Sequence, residues 1–486
     1  MTIPHYAPLT CYIPESFNPV TDVPCYNKRW HEKYVYMVHT ILFQSLRNKQ
    51  TFNGFVNLEG DILQKFLGER YTKHVINQLV NGGIIEVNRK YSAGNFSKSY
   101  RLTHKFTKNI RIKREQIKKQ SYCRKVMLQQ QRTLQTAFKE NPLLIHEFHQ
   151  LTRRRINVAA AVDYINTNYI EGTPQHAARI LAVEQFDAMK DTTFSNTLSK
   201  PVGFHFTFNK GRVYSPVTSL PRDLEKFTFF DGFENDGSIS LDMPNSQLCF
   251  FHEYTKRSIR KSHNIGRVID EEITDICTSY NLLFSGSGAN TKTLINSLYS
   301  SPYDMTIRTN FGAFDENPTW ADYIFSGKGY ERMMFLMKWK GKYSDWNKEE
   351  RQEFKAEFFG QLFYNRWMPK LTPMELVFME NHENEAILLR AVKKRLGSGT
   401  ILDDTGKKKL RGNALLAIEV QKLEAHLFHT IIVDHLKRNY SDVPFTIKHD
   451  SVTMPKSAAA YIGPELDQLV QKFFGVQWIG LKCEEL

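Results

Sequence analysis

The sequence contains little cysteine, and none of it forms a recognisable motif. Six cysteines are scattered along the 486 residues without a CxxC pair: Cys11, Cys25, Cys123, Cys249, Cys277 and Cys483. This spacing excludes a zinc finger and argues against a disulfide framework. We therefore expect reduced thiols, as in a cytoplasmic protein.

The sequence also lacks long apolar runs, internal repeats and low-complexity segments. No stretch is long enough to cross a bilayer, and the opening MTIPHYAPLT lacks the basic start and apolar core of a signal peptide. Acidic residues are in deficit, because 65 Lys and Arg face 51 Asp and Glu, giving a net charge of +14. With no membrane segment, this excess predicts nucleic acid as the polyanionic partner.

The N-terminal pattern predicts an irregular arm followed by a winged-helix domain. Residues 1–30 contain five prolines and predict the arm. Helical spacing follows from about Lys33 to Arg47, in DILQKFLGER and in TKHVINQLVNGG, which ends at Gly82-Gly83. Alternation in IIEVNRKYS and SYRLTHKF then predicts a β-hairpin. Helices followed by a hairpin predict a winged helix over residues 31–108.

In a winged helix, one helix face and the hairpin would contact DNA. The predicted helix residues are Thr72, Lys73, His74, Asn77 and Gln78, and those on or near the wing are Arg89, Lys90 and Lys98. A protein partner is the alternative for this domain. The strongly basic run that follows, residues 105–131, predicts a long exposed helix that either binds phosphates or is simply solvated.

Two candidate metal ligands each follow a short strand-like stretch. Asp242 comes directly after the strand predicted at Ser238 to Leu241. FTIKHDSVTMPK, residues 445–456, predicts a hairpin with Asp450 at its tip. Either aspartate alone would suit an ordinary turn. Together, carboxylates from separate β elements can hold two Mg²⁺ ions, the arrangement used for in-line phosphoryl transfer.

Between these aspartates, ERQEFKAEFFGQLFYNRW predicts a helix with a mixed face. Arg351, Lys355, Phe359 and Phe363 recur at steps of four and therefore share one side. Cations followed by aromatic rings can bind a nucleoside triphosphate, with Arg351 and Lys355 on the phosphates and Phe359 against the base.

Taken in order, these stretches resemble motifs A, B and C of the family A (Pol I-like) DNA polymerases. The series Arg351, Lys355, Phe359, Gly360 is similar to motif B, and His449-Asp450 to motif C. GRVYSPVTSLPRDL, residues 211–224, resembles the family segment whose arginine contacts the duplex near the primer end. The resemblance covers about residues 190–486.

The resemblance implies an α+β right-hand polymerase fold. It places the palm, with its antiparallel sheet, in residues 196–260 and 411–486, and helical fingers in residues 261–410. A basic helical linker and thumb would occupy residues 109–195.

The resemblance also implies residue roles. Asp242 and Asp450 would hold the two Mg²⁺ ions. Arg351 and Lys355 would neutralise the triphosphate, Lys355 would protonate the leaving group, and Phe359 would stack on the nucleotide. The remaining implied contacts are Gln247 and Phe363 to the nucleotide and Arg212, Arg222, His449 and Gln421 to primer and template. For Gln421, and for Glu424 beside it, a solvated helix face is the stronger interpretation.

Some positions depart from the family pattern. Gln247 stands where family A enzymes have a glutamate that selects the sugar, and His-Asp-Ser in motif C is similar to phage-type single-subunit RNA polymerases. Those enzymes carry Tyr-Gly where this chain has Phe363-Tyr364, so the choice between dNTPs and NTPs stays open.

We expect a DNA polymerase without proofreading, of the short type found in phages and mobile elements. Its partners would be template and primer DNA, nucleoside triphosphates and a small accessory replication protein, in a bacterial or phage-infected cell. Primase activity is an added candidate. The alternatives are an RNA polymerase or primase that uses NTPs, and a non-catalytic winged-helix replication initiator.

Two further motifs predict structure only. GSGANTKT, residues 286–293, lacks the glycine that precedes the lysine of a phosphate-binding loop. HEFH, residues 146–149, lacks HExxH spacing and predicts histidines on a helix surface.

Overall fold

The computed structural model describes most of the chain. Its described residues are 8–47, 54–88, 98–191, 207–209, 212–263, 320–363, 370–382, 386, 389–390, 393, 401–402, 409–410, 412–477 and 479–486. They form a mixed α+β protein with small antiparallel sheets, so the predicted α+β class is confirmed. None of the helices described is both long enough and apolar enough to span a membrane.

The N-terminal part is built around one buried helix, α2. Its elements are β1 (Leu9–Pro14), α1 (Pro19–Asp22), a 3-10 turn (Lys28–Trp30), α2 (His31–Arg47), β2 (Val56–Asn57), α3 (Gly60–Leu67), α4 (Glu69–Asn81), β3 (Ile85–Asn88), β4 (Ser99–Leu102), α5 (His104–Thr107) and β5 (Ile112–Ile117). Helices α2, α3 and α4 lie where apolar spacing predicts them. β3 and β4 form the predicted hairpin, and β4 also pairs with β2.

The predictions of an irregular arm and of one long basic helix are both wrong, for a shared reason. Strand β1, inside residues 1–30, pairs antiparallel with β5, which lies inside the basic run. Cys11, Tyr12 and Ile13 of β1 are buried by this pairing and by α2. Long-range strand pairing overrides the local helical pattern. The basic helix therefore begins only at Gln120.

The middle part is mostly helical and has its own core. Its elements are α6 (Gln120–Glu140), α7 (Leu144–Leu151), β6 (Arg154–Ile156), α8 (Val158–Asn168), α9 (Pro174–Asp187), a second 3-10 turn (Ala188–Asp191), β7 (Thr207–Asn209), β8 (Arg212–Tyr214), α10 (Pro216–Ser219), α11 (Arg222–Glu225) and β9 (Thr228–Phe230). Helix α9 joins two cores, since Ala177 and Leu181 pack in the N-terminal core and Val183 and Phe186 in the middle one.

The C-terminal part surrounds a four-stranded antiparallel sheet. Its elements are β10 (Ser238–Asp242), α12 (Ser246–His263), α13 (Trp320–Phe325), α14 (Gly329–Leu336), a third 3-10 turn (Trp339–Gly341), α15 (Lys348–Phe358), α16 (Pro373–Asn381), β11 (Ile401–Leu402), β12 (Lys409–Leu410), α17 (Gly412–His426), α18 (Val433–Asn439), β13 (Thr446–Lys448), β14 (Ser451–Pro455), α19 (Lys456–Phe474) and β15 (Lys482–Glu485). The sheet order is β13-β14-β10-β15. Its core includes Leu241, Phe250, Phe428, Val452 and Ile462.

Two helices of this part contain π-helical turns. Helix α15 continues into Phe359–Phe363, and Leu427–Ile432 joins α17 to α18. The helix predicted from Gly412 to Arg438 is thus confirmed as one continuous run. A π turn inserts an extra residue and often accompanies a functional site.

Candidate active site

Asp242 and Asp450 lie side by side at one end of the four-stranded sheet. Strand β10 ends at Asp242, which is opposite Ser451, the first residue of β14. Asp450 immediately precedes Ser451, and the backbone N–H of Met243 donates a 3.0 Å hydrogen bond to the carbonyl of Asp450. The predicted hairpin thus brings together two aspartates that are distant in sequence.

The two aspartates interact electrostatically. Burial, followed by the charges of Asp450 and Glu484, raises the pKa of Asp242 to about 7, while Arg222 and Lys482 act in the opposite direction. Like charges held together in this way are relieved by a proton or by a cation.

The hairpin tip is conformationally unusual. His449 has a φ of 58°, in the left-handed region that few non-glycine residues adopt. Beside it, the carboxylate of Asp450 accepts a hydrogen bond from the hydroxyl of Ser246, a buried residue at the start of α12. Strained residues of this kind concentrate at functional sites.

The imidazole of His449 is neutral at physiological pH and has unused hydrogen-bonding capacity. Burial, with the neighbouring charges of Arg212, Lys448 and His429, lowers the pKa of His449 to about 4. Its Nδ1 is buried and has no hydrogen-bond partner among the residues that the structure describes. A buried nitrogen of this kind can be satisfied by a bound substrate.

Arg212 is held in place by a buried carboxylate. Its Nε and Nη2 donate to Oε1 and Oε2 of Glu424, each at 3.1 Å. Glu424 is 2% exposed, so the solvated-face interpretation is wrong for this residue, whereas Gln421 in the same helix is half-buried. The charge of Asp450 acts on both Arg212 and Glu424, which places the pair beside the aspartates. The other candidate arginine, Arg222, is ion-paired with Glu484.

A second buried pair connects the middle helices to the site. Nδ1 of His429, in the π turn, lies 2.7 Å from Oε1 of Glu147 on α7, and both side chains are almost fully buried. Glu147 belongs to the HEFH motif, of which His149 is exposed as predicted. Sequence reasoning missed Glu147, although a single acidic residue within the apolar run LLIHEFHQL was an available signal.

Helix α15 carries two of the predicted nucleotide-binding cations, Lys355 beside Tyr330 and Arg351 beside Glu331. Helix α15 begins with a capping box formed by Asn347 and Glu350. The ammonium of Lys355 lies 4.7 Å from the centroid of the Tyr330 ring, and the guanidinium of Arg351 is 3.5 Å from Glu331. Arg351 is exposed and Lys355 half-buried.

The two predicted nucleotide-binding rings, Phe359 and Phe363, lie in different environments. Phe359 is half-buried, with its ring 6.0 Å from that of Tyr330. Phe363 is instead a core residue, 2% exposed and 4.5 Å from the ring of Phe251 on α12. Phe363 therefore has no open face on which a nucleotide base could stack.

Helix α12 contacts both Asp450 and the π turn that follows α15. Its first residue, Ser246, bonds Asp450, and Phe251 one turn later packs on Phe363. Gln247 is half-buried in the first turn of α12, next to Ser246. Across the described part of the chain, no ion pair joins Lys355 or Arg351 to either aspartate.

The donor set suits a hard divalent cation with few protein ligands. Nowhere in the described ranges do three or more His, Cys, Asp or Glu side chains form a group that could hold a metal. Two carboxylates alone fit Mg²⁺, which keeps several waters and binds substrate phosphates. Asp242 and Asp450 would be its ligands, since Glu484 is occupied by Arg222.

In the N-terminal part, α4 exposes Lys73, His74 and Asn77 but not the whole predicted DNA face. The hydroxyl of Thr72 donates back to the carbonyl of Gly68 at 2.9 Å. The amide of Gln78 accepts from the hydroxyl of Tyr34 at 2.6 Å and donates to the carbonyl of Cys25 at 3.1 Å.

Other predicted positions are only partly covered by the structure. Lys98 is exposed near the hairpin. Arg89 and Lys90, together with GSGANTKT, lie outside the described residues.

Comparisons with known proteins add no family assignment. No protein-family model matches this chain, and a search of curated proteins finds no significant match. The site therefore rests on its own geometry.

Proposed function

We propose that this protein is a template-directed nucleotidyltransferase with a right-hand polymerase fold, and specifically a DNA polymerase. One observation carries the proposal: Asp242 and Asp450 meet at one end of an antiparallel sheet, on a strand end and a hairpin tip. A helix with Arg351, Lys355 and Phe359 is connected to that end through α12. Acidic and cationic elements of this kind suit phosphoryl transfer from a nucleoside triphosphate.

Each predicted site residue has a separate role in the proposed reaction. Asp242 and Asp450 hold Mg²⁺, which when bound supplies charge neutralisation at the reacting phosphate. Lys355 and Arg351 bind the triphosphate, and Phe359 provides a ring for the incoming base. Lys355 is also the group that can donate a proton to the leaving pyrophosphate.

The primer end has two candidate contacts. His449 is neutral and can use its unpartnered Nδ1 to hydrogen-bond the primer end or a phosphate. Arg212, oriented by Glu424, places a cation beside Asp450 for the duplex backbone.

The N-terminal part supports a winged-helix module. Its element order, α2-β2-α3-α4-β3-β4, and its sheet order, β2-β4-β3, match that arrangement. A module of this type would bring the nucleic acid, or a replication partner, to the polymerase.

Nucleotide incorporation by the purified full-length protein with Mg²⁺ tests the proposal. Primed and unprimed templates would each be offered labelled dNTPs or NTPs. Primer extension with dNTPs is the expected result, and Asp242→Asn should abolish it. Synthesis without a primer would add priming, and a preference for NTPs would make the enzyme an RNA polymerase or primase. No incorporation on any substrate would contradict the proposal and favour the replication initiator.

A further inference from the structure

A cluster of aromatic rings lies on the surface of the N-terminal part. The ring of Trp30 is 5.6 Å from that of Tyr71 and 6.2 Å from that of His74, at an interplanar angle of 33° to the histidine. Tyr71 is 43% exposed, and His74 is exposed as well. These residues come from the Lys28–Trp30 turn and from α4, so two separate segments build one aromatic surface.

Lysines surround this aromatic surface. The ammonium of Lys33 lies 4.1 Å from the centroid of the Tyr71 ring, and it also donates to the carbonyl of Leu67. Burial and the charges of Lys125 and Lys119 lower the pKa of Lys33, as expected for ammonium groups close enough to repel one another. Lys119 also donates to the carbonyl of Arg29 at 3.1 Å, which ties the start of α6 to the turn that carries Trp30.

Acidic side chains balance this charge only in part. Glu32 is 3.3 Å from Lys119 and is largely covered. Lys28 and Arg29 on the turn, and Lys125 on α6, are exposed. The surface therefore combines the exposed side chains of Tyr71 and His74 and the half-buried ring of Trp30 with an excess of cations.

We propose that this surface, which we call the aromatic platform (Trp30, Tyr71 and His74, flanked by Lys33, Lys119 and Lys125), binds single-stranded nucleic acid. Bases stack on the rings and phosphates contact the lysines. The proposal rests on the polymerase function proposed above, because it assigns the platform to the unpaired template strand.

The platform favours a single strand over a duplex for two reasons. Ring faces can stack only on bases that are not already stacked in a helix. In addition, two polar side chains of the predicted DNA face already have hydrogen-bond partners in the protein, Thr72 with Gly68 and Gln78 with Tyr34 and Cys25. Because His74 belongs to both surfaces, the proposed nucleic-acid surface extends from the exposed residues of α4 toward Trp30.

The platform is physically connected to the candidate active site. Lys125 lies in α6, which has 21 residues and therefore spans about 31 Å. The residue that caps its far end, Asn141, donates a 3.0 Å hydrogen bond to the carbonyl of His429 beside the site. A strand held on the platform would be guided along α6 toward Asp242 and Asp450.

Oligonucleotide binding by the full-length protein tests the proposal. The probes are oligo(dT) and oligo(rU) of about 20 nucleotides and a DNA duplex of equal length, followed by anisotropy and tryptophan fluorescence. We expect a single strand to bind at least about tenfold more tightly than the duplex and to quench part of the fluorescence of the six tryptophans. A preference for DNA or for RNA identifies the template and supports the proposal equally.

Variants of Tyr71 separate stacking from folding. Tyr71→Leu should weaken single-strand binding about tenfold, whereas Tyr71→Phe keeps the ring and should bind like the wild type. Tyr461→Leu, a matched change at an exposed tyrosine in the C-terminal part, should have no effect. Changing Lys119 and Lys125 together to Ala should reduce the salt slope by about 1.4. Lys472→Ala, which changes an exposed lysine on α19, should leave the slope unchanged.

Two results would overturn the proposal: equal or tighter duplex binding, or unchanged single-strand affinity in Tyr71→Leu. Asp450→Asn is expected to bind the single strand normally. The two proposals can therefore fail separately. If the wild-type protein binds the single strand as predicted but incorporates no nucleotide, the polymerase function is wrong and the platform remains a single-strand site.

Discussion

The carboxylate of Glu424 accepts two hydrogen bonds of 3.1 Å from the guanidinium of Arg212, beside Asp450. The Glu424 side chain is buried, and it orients the Arg212 guanidinium, which we propose contacts the primer–template duplex. Glu424→Gln removes the charge of this carboxylate while keeping the size of the side chain, so it tests the role of the ion pair.

Glu424→Gln should weaken primer–template binding about tenfold, because Arg212 loses its bidentate partner and its fixed orientation. The variant should also be less stable, by about 3 kcal/mol, since an arginine is left partly buried without its counter-charge. Anisotropy with a labelled primer–template and urea unfolding measure the two effects. Glu419→Gln, in the same helix but surface-paired with Lys422, is the control and should change neither quantity. Normal duplex affinity in Glu424→Gln would remove Arg212 from the duplex contact.

Asp242 predicts an unusual dependence of stability on pH in the metal-free protein. Its pKa is about 7 in the folded state and 3.8 in the reference state, so the folded protein binds more protons between these values. Folding stability should therefore fall as pH rises from about 4 to about 7. Asp242→Asn removes this effect and should stabilise the protein at about pH 8 by about 2 kcal/mol, with no gain at about pH 4.

Thermal unfolding with and without chelator measures this effect. Mg²⁺ should stabilise the wild type at about pH 8 and have little effect at about pH 5, because the cation must displace the proton from Asp242. Equal Mg²⁺ stabilisation of wild type and Asp242→Asn would contradict the assignment of this metal ligand.

The pair of Glu147 and His429 predicts a structural role rather than a catalytic one. Glu147→Ala should destabilise the protein by about 2–3 kcal/mol, because it leaves the buried His429 nitrogen without its partner. In a double-mutant cycle with His429→Ala, the double variant should lose clearly less stability than the sum of the two single variants, because both changes remove the same interaction. His149→Ala, which alters an exposed neighbour, should be close to neutral. Additive losses in the cycle would show that the two side chains do not interact in solution.

Lys355 on α15 and Phe363 in the π turn that follows it should respond differently to substitution. Lys355→Ala should lower the rate of nucleotide incorporation by about 10²–10³-fold with little loss of stability, because Lys355 acts on the triphosphate. Phe363→Ala should instead destabilise the protein by about 3–5 kcal/mol, because the ring is packed on Phe251 in the core. Single-turnover incorporation and urea unfolding distinguish the two effects. An unimpaired rate in Lys355→Ala would remove it from the nucleotide site.

Local patterns in the sequence predict the parts of the site that local chemistry builds. The hairpin around Asp450 follows from two β-rich stretches with a turn between them, and the helix of Lys355 from the four-residue spacing of its cations and aromatic rings. The proximity of Asp242 and Asp450 is not visible in composition or period, since β10 and β14 pair across a long stretch of chain. The prediction of an irregular arm over residues 1–30 fails for the same reason, because β5 pairs with the strand Leu9–Pro14 inside it.

The burial of two acidic side chains, Glu424 and Glu147, was also not predicted from the sequence. Glu424 and Glu147 occur in helices whose polar residues would ordinarily be solvated. Only the tertiary packing, which places Arg212 and His429 against them, accounts for their burial.

The rate of a single nucleotide addition to a primed template by Asp450→Asn tests the account most directly. The substitution keeps the shape of the side chain and removes one of the two charges that would hold Mg²⁺. We predict that the rate falls by at least about 10³-fold while primer–template affinity and thermal stability are retained. Asp163→Asn, at an exposed position of α8, is the control and should keep the wild-type rate. Incorporation by Asp450→Asn at the wild-type rate would contradict the account, because Asp450 would then be only a turn residue.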